Sequence, residues 1–322
     1  MKRILALVLA TALLIGSLGM TTAAAPGCPC TWPPHEYNHD VATFAAQLSY
    51  WAYEQDEIAA QLTERDFTNI AQHNFAQTAA TDTVALTLAL RDVIVDDEEM
   101  TLLVLALRGT VGHMISGAEW RSNYNVGEEE LHVGFMLAAQ NAREYLYAFA
   151  LYHALDIENT VMLITGHSRG GAVANILGAH LNGAQSLVLQ ENLHVYTFAS
   201  PRTTRSPNPA YTNIINIINV HDRVPRLPRT MGFRNLWGRH GNDLAVHMTT
   251  TTIIGIAIDV MYHHSMENYL RWMFAHPGLT YDEFRNMSVP ITTIFGTTWP
   301  ATWYNWLLFW LAFGWIWMYL WV

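Results

Sequence analysis

Between residues 83 and 254 the apolar residues gather in short runs, at 83–90, 102–107, 161–165, 194–198, 214–220 and 244–254. Each run has strand length and ends at polar or turn-forming residues, as expected of strands buried on both faces. Stretches with apolar residues three and four apart, at 41–61, 135–155, 170–183 and 266–274, predict helices. Helices that alternate with short buried strands predict an α/β domain with a mainly parallel central sheet flanked by helices. No repeat, low-complexity tract or Gly/Ser linker divides residues 26–285, so they read as one domain.

The pattern changes at both ends. Lys2 and Arg3 precede a 13-residue apolar run, Ile4 to Gly16, and Ala23-Ala24-Ala25 follows as an A-x-A cleavage site. This is the pattern of a signal peptide over 1–25. A helix of that run reaches only about 20 Å, short of a ~30 Å hydrocarbon core. At the other end, residues 286–322 carry no charge and hold seven of the 12 tryptophans from Trp299 onward. Trp299, Trp303, Trp306, Trp310, Phe313, Trp317 and Leu320 follow spacings of four and three, one stripe of a hydrophobic helix. The tail reads as a membrane anchor or interfacial helix, with packing on the domain or self-association as alternatives.

Composition agrees with this partition. The chain of 322 residues is 51% hydrophobic, only 14% charged, and has a net charge of -10. That excludes intrinsic disorder and argues against a nucleic-acid partner. Export implies an oxidising compartment. Cys28 and Cys30, the only cysteines, are spaced too closely for an unstrained intramolecular bridge.

The chemistry centres on Gly166-His167-Ser168-Arg169-Gly170, a G-x-S-x-G that follows an apolar strand and opens a small-residue helix. That strand–turn–helix context is a nucleophile elbow, with Ser168 exposed at the end of the sheet. A serine hydroxyl needs a base, and the base needs a carboxylate to orient it. Asp222 follows the 214–220 strand in a loop stiffened by Pro225 and Pro228, with Asp243 and Asp259 as competitors. For the base, His264 precedes Ser265 and a packed helix; His263 beside it, His240, His247 and His276 are the other downstream candidates. An oxyanion hole needs two N–H donors. Arg169, after the nucleophile, offers one, and Thr110, in the turn Leu107-Arg108-Gly109-Thr110, offers the other.

These pieces resemble the class 3 (fungal-type) triacylglycerol lipase family, with Glu119-Trp120, His132-Val133-Gly134-Phe135, Tyr196 to Pro201 and His264 to Leu270 in the same order. The resemblance implies an α/β-hydrolase fold and a serine hydrolase of carboxylic esters with no cofactor and no metal. It implies Ser168 as nucleophile, Asp222 as acid, His264 as base, Thr110 and Arg169 at the oxyanion hole, and a lid over 111–123 in which Trp120 touches lipid or covers the site. Arg169 stands where the family often has Leu, which makes its guanidinium available to read a carboxylate or phosphate. With seven arginines between Arg202 and Arg239, it supports an alternative substrate, the anionic glycerophospholipids of a phospholipase A1. A non-catalytic membrane-attached binding protein with a decayed site is the alternative of another class. The expected partners are a lipid or ester substrate and a lipid interface. The expected location is extracellular or at the cell surface.

Overall fold

A computed structural model describes residues 37–76, 82–95, 97–111, 118–183, 186–228, 237–248 and 263–288. The expected signal peptide, both cysteines, Asp259 and the tryptophan-striped tail lie outside the described residues, as do the side chain of Trp120 and residues 112–117 of the expected lid.

Seven strands form one sheet in chain order: β1 (Thr68–His73), β2 (Leu86–Val95), β3 (Glu98–Leu107), β4 (Thr160–His167), β5 (Leu193–Phe198), β6 (Ile214–Asn219) and β7 (Asn242–Val246). β1, β2 and β3 are antiparallel, and β3 through β7 run parallel. The sheet is buried on both faces because its residues divide by parity. Along β3, Leu102, Val104 and Ala106 join the core on one side, and Leu103, Leu105 and Leu107 the core on the other. The first side is covered by helices α1 (His39–Trp51), α6 (Met266–Ala275) and α7 (Tyr281–Met287). The second is covered by α4 (Val133–Tyr152) and α5 (Arg169–Leu181). This is the α/β-hydrolase arrangement expected from the sequence.

Three elements depart from the expected pattern. The single helix expected over 41–61 is two, α1 and α2 (Gln55–Thr63), and Tyr53 sits between them. β1 carries no apolar run. It is a half-exposed edge strand, so the hydrophobic pattern is silent about it. The domain boundary expected at 285 falls inside α7. That helix buries Phe284, and Ser288 accepts the Ala245 N–H at 2.8 Å, so the folded body continues through Ser288. The capping box of α7, Thr280 with Glu283, was present in the sequence as T-x-x-E.

Candidate active site

The parallel strands deliver the candidate residues to one edge. Ser168 follows β4, Asp222 follows β6, and His264 lies in the chain beyond β7. Ser168 has φ 56° and ψ -123°. A non-glycine residue is strained there, and tight surroundings must hold it. They do so through close backbone approach. A Cβ on Gly170 would lie 2.1 Å from the Leu107 carbonyl oxygen, and one on Gly166 would lie 2.5 Å from the Gly170 carbonyl carbon. The two glycines of the motif are therefore required by contact between β4, α5 and the end of β3. The sharp turn is made by Ser168 itself. Its N–H donates to the Phe198 carbonyl at 2.8 Å, and its side chain stays partly exposed.

His264 Nε2 lies 2.8 Å from Ser168 Oγ, and its Nδ1 lies 2.8 Å from Asp222 Oδ2. A carboxylate only accepts, so Nδ1 carries the proton and Nε2 presents a lone pair to the serine hydroxyl. Asp222 is fully buried. A buried charge must be hydrogen-bonded. Its other oxygen accepts the Val224 N–H at 2.9 Å, and Oδ2 also accepts the Tyr269 hydroxyl at 3.0 Å. Burial, and then the neighbouring aspartate, push the Tyr269 phenol well above its ordinary pKa, so it remains a donor. It also accepts the Asn219 N–H at 2.9 Å. The sequence pattern predicted a helix over 266–274 and gave Tyr269 no separate role. The available signal was that a phenol on a buried helix face needs a polar partner.

The other candidates go elsewhere. His263 faces Asn219, whose amide donates to the His263 carbonyl at 3.2 Å, and its ring lies against His221. His247 approaches His221, His276 stacks on Trp272, and His240 faces Tyr211. Asp243 pairs with Arg239.

The Arg169 side chain does not face the site as a headgroup reader. It is 1% exposed and runs inward. It donates to the carbonyls of Thr83 at 2.9 Å and Glu119 at 3.3 Å, and to Ser122 Oγ at 3.2 Å. Burial lowers its pKa to about 10, so it stays charged at neutral pH. Its backbone amide is the first of α5, where N–H groups close no bond within the helix. Among the described residues, three of the arginines from Arg202 to Arg239 are also engaged within the structure. Arg239 is buried against Asp243 and the carbonyls of Ser200 and Pro225; Arg226 donates to the Val220 carbonyl; Arg205 lies 4.9 Å over the Trp237 ring. Arg229 and Arg234 lie outside the described residues.

The helix that Arg169 holds, α3 (Ala118–Tyr124), clasps the Thr110 turn. Glu119 pairs with Arg108 at 3.2 Å and accepts the Val111 N–H at 3.1 Å. Asn123 donates to Thr110 Oγ1 at 2.9 Å. Residues 118–123, the second half of the expected lid, are thus anchored on both sides. Gly109 has a reason beyond the turn: a Cβ there would lie 2.0 Å from the Tyr53 hydroxyl.

A nucleophile at the strand–helix elbow, an acid from a later strand and a histidine after it, in that chain order on a mainly parallel sheet, define the α/β-hydrolase class. Residues 104–231 match the family model described as Lipase (class 3). Within that stretch, which holds Thr110, Ser168 and Asp222, the chain is similar to class 3 lipases. Among solved structures it is similar to the Rhizomucor miehei triacylglyceride lipase, with 20% identity over 64% of this chain and 78% of that one, at a TM-score of 0.42. It is also similar to a triacylglycerol lipase described as having a serine protease triad, with 19% identity over 76% and 95%, at 0.45. A fungal lipase–inhibitor complex gives 22% over 59% and 74%, at 0.42.

Proposed function

We propose that this chain is an exported serine hydrolase that cleaves acylglycerol esters by a two-step acyl transfer. The observation that carries the reading is the pair of 2.8 Å contacts joining Ser168, His264 and the buried Asp222. Ser168 Oγ attacks the ester carbonyl as its proton passes to His264 Nε2, and Asp222 stabilises the resulting imidazolium. The amides of Thr110 and Arg169 receive the oxyanion. His264 then protonates the leaving alcohol, and water, activated by the same nitrogen, releases the acid. The clasp of α3 on the Thr110 turn supports this assignment, because an oxyanion donor must be held in advance of the reaction. Acylglycerols are preferred over anionic phospholipids, because the Arg169 guanidinium is committed to the interior. Residues 1–25 are the export signal. The tryptophan-striped tail attaches the folded body to a lipid interface.

The test is Ser168→Ala. The variant is expected to fold and to lose hydrolysis of tributyrin and p-nitrophenyl esters, and the wild type to be labelled at Ser168 by a fluorophosphonate. Turnover by the variant at the wild-type rate would sink the assignment. A wild-type protein that resists labelling would favour the non-catalytic reading.

A further inference from the structure

The residue preceding the nucleophile is itself a histidine, and acyl transfer as proposed above does not use it. His167 is buried, and both its nitrogens are engaged. Nδ1 lies 2.6 Å from the Tyr53 hydroxyl, and Nε2 lies 2.8 Å from the backbone carbonyl oxygen of His264. Burial, and then the His264 ring nearby, push its pKa well below the ordinary imidazole value, so it is neutral and carries one proton. A carbonyl oxygen can only accept, so the proton is on Nε2. Nδ1 must then accept, and Tyr53 must donate. Burial raises the Tyr53 pKa, which keeps it a donor. The direction of the whole chain is thereby determined: Tyr53 O–H to His167 Nδ1, and His167 Nε2–H to the carbonyl of His264.

We propose that Tyr53 and His167 are positioning residues that hold the backbone of His264, and so aim its imidazole at Ser168. The inference rests on the triad reading above and deepens it. The His264 ring is held at Nδ1 by Asp222, and its other contact is to the Ser168 hydroxyl whose proton it must take. A second grip on its own carbonyl, from the residue bonded covalently to Ser168, ties base and nucleophile to one segment of β4. Tyr53 sets the tautomer that makes the grip attractive. With the proton on Nδ1 instead, the Nε2 lone pair would face the carbonyl oxygen and push it away. The Tyr53 hydroxyl also fills the space beside Gly109, so the same group touches the turn that bears Thr110. Its place between α1 and α2 is what brings it there.

The experiment compares Tyr53→Phe, His167→Gln, His167→Leu and the Tyr53→Phe/His167→Gln double variant in the full chain. The readouts are kcat and KM on p-nitrophenyl butyrate and the rate of fluorophosphonate labelling. Misplacement of a reacting group by about 1 Å costs up to about a hundredfold, so His167→Leu is expected to lose about that much in kcat with KM unchanged. Gln keeps an N–H near the Nε2 position, and His167→Gln is expected to recover to within about threefold of wild type. Tyr53→Phe is expected to lose about tenfold in kcat and in labelling rate. It is expected to cost nothing further in the His167→Gln background, where there is no tautomer to set. That non-additivity separates positioning from packing. Tyr53→Phe removes one oxygen and decides the matter if His167→Leu does not fold. Wild-type kcat and labelling in Tyr53→Phe, or an equal loss in both backgrounds, overturns the proposal. If Ser168→Ala still turns over, the triad reading fails first.

Discussion

At the scale of single residues, the site depends on how one buried carboxylate is satisfied. Asp222 receives donors from His264, Tyr269 and the Val224 amide, and Tyr269 in turn receives the Asn219 amide. Tyr269→Phe removes a donor from the charge and an acceptor from the amide at once. The expected cost is about 1–3 kcal/mol of stability. Thermal unfolding is expected to shift down by several degrees, and kcat to fall more than KM rises, on any soluble ester. An unchanged melting temperature would show that water replaces the phenol without loss. Ser168, Asp222 and the His263-His264 pair were legible in the sequence, because a nucleophile elbow and its partners have a characteristic order. The choice between the two histidines was not. Adjacent residues in a loop differ only in which way the backbone turns them, and here Asn219 turns His263 away by holding its carbonyl.

At the scale of elements, α3 makes contacts that the sequence did not announce. Glu119 and Trp120 stood out as a motif, in a stretch expected to be a lid over 111–123. The structure makes its helical half a clasp, with Arg169 beneath it and Thr110 in its grip. The reason is electrostatic. A buried guanidinium demands acceptors, and the Thr83 and Glu119 carbonyls and the Ser122 hydroxyl supply them. Arg169→Leu removes the donor to these groups and leaves them buried. The expected result is a protein destabilised by about 2–4 kcal/mol. Its melting temperature falls, and its kcat on tributyrin falls because the Thr110 turn loosens. Phospholipid hydrolysis is expected to fall in the same proportion. A selective loss on anionic phospholipid would instead mean that the guanidinium reaches the headgroup.

At the scale of the whole molecule, buried neutral histidines couple stability to pH. Burial lowers the pKa of His132 to about 4 from 6.5; its ring caps α4 and stacks on Phe135. His167, His39 and His240 are lowered as well, each first by burial. A folded-state pKa below the unfolded one means that the unfolded chain binds more protons, so stability falls as pH drops. For His132 the loss begins near pH 6.5 and is complete near pH 4, on the order of 3 kcal/mol across that window. His132→Asn keeps a good helix cap and removes the titration. Its melting temperature is expected to fall less steeply with acid than that of wild type, and parallel curves would refute the linkage. The proposed attachment of the tail to a lipid interface is tested at the same scale. Removal of residues 289–322 is expected to leave turnover of dissolved p-nitrophenyl esters unchanged. It should lower hydrolysis of emulsified long-chain acylglycerols about tenfold or more. Equal activity on both would remove the tail from interfacial binding.

The sequence by itself determined the order of the parallel strands and of the helices α4, α5 and α6 among them, the two-faced burial of the sheet and the elbow motif, because each is written in local periodicity or in a short motif. β1 escaped, since an edge strand need not be apolar, and α7 was announced only by its cap. Tertiary structure alone decided what depends on approach across the chain. The glycines of the elbow are needed because Leu107 and Gly170 crowd them, the Arg169 side chain turns inward to serve α3, and Tyr53 reaches His264 through His167, across separations of 114 and 97 residues. Hydrogen bonds of that span leave no period in a sequence. They exist only once the sheet has brought its carboxyl ends together and burial has made every unpaired polar group costly.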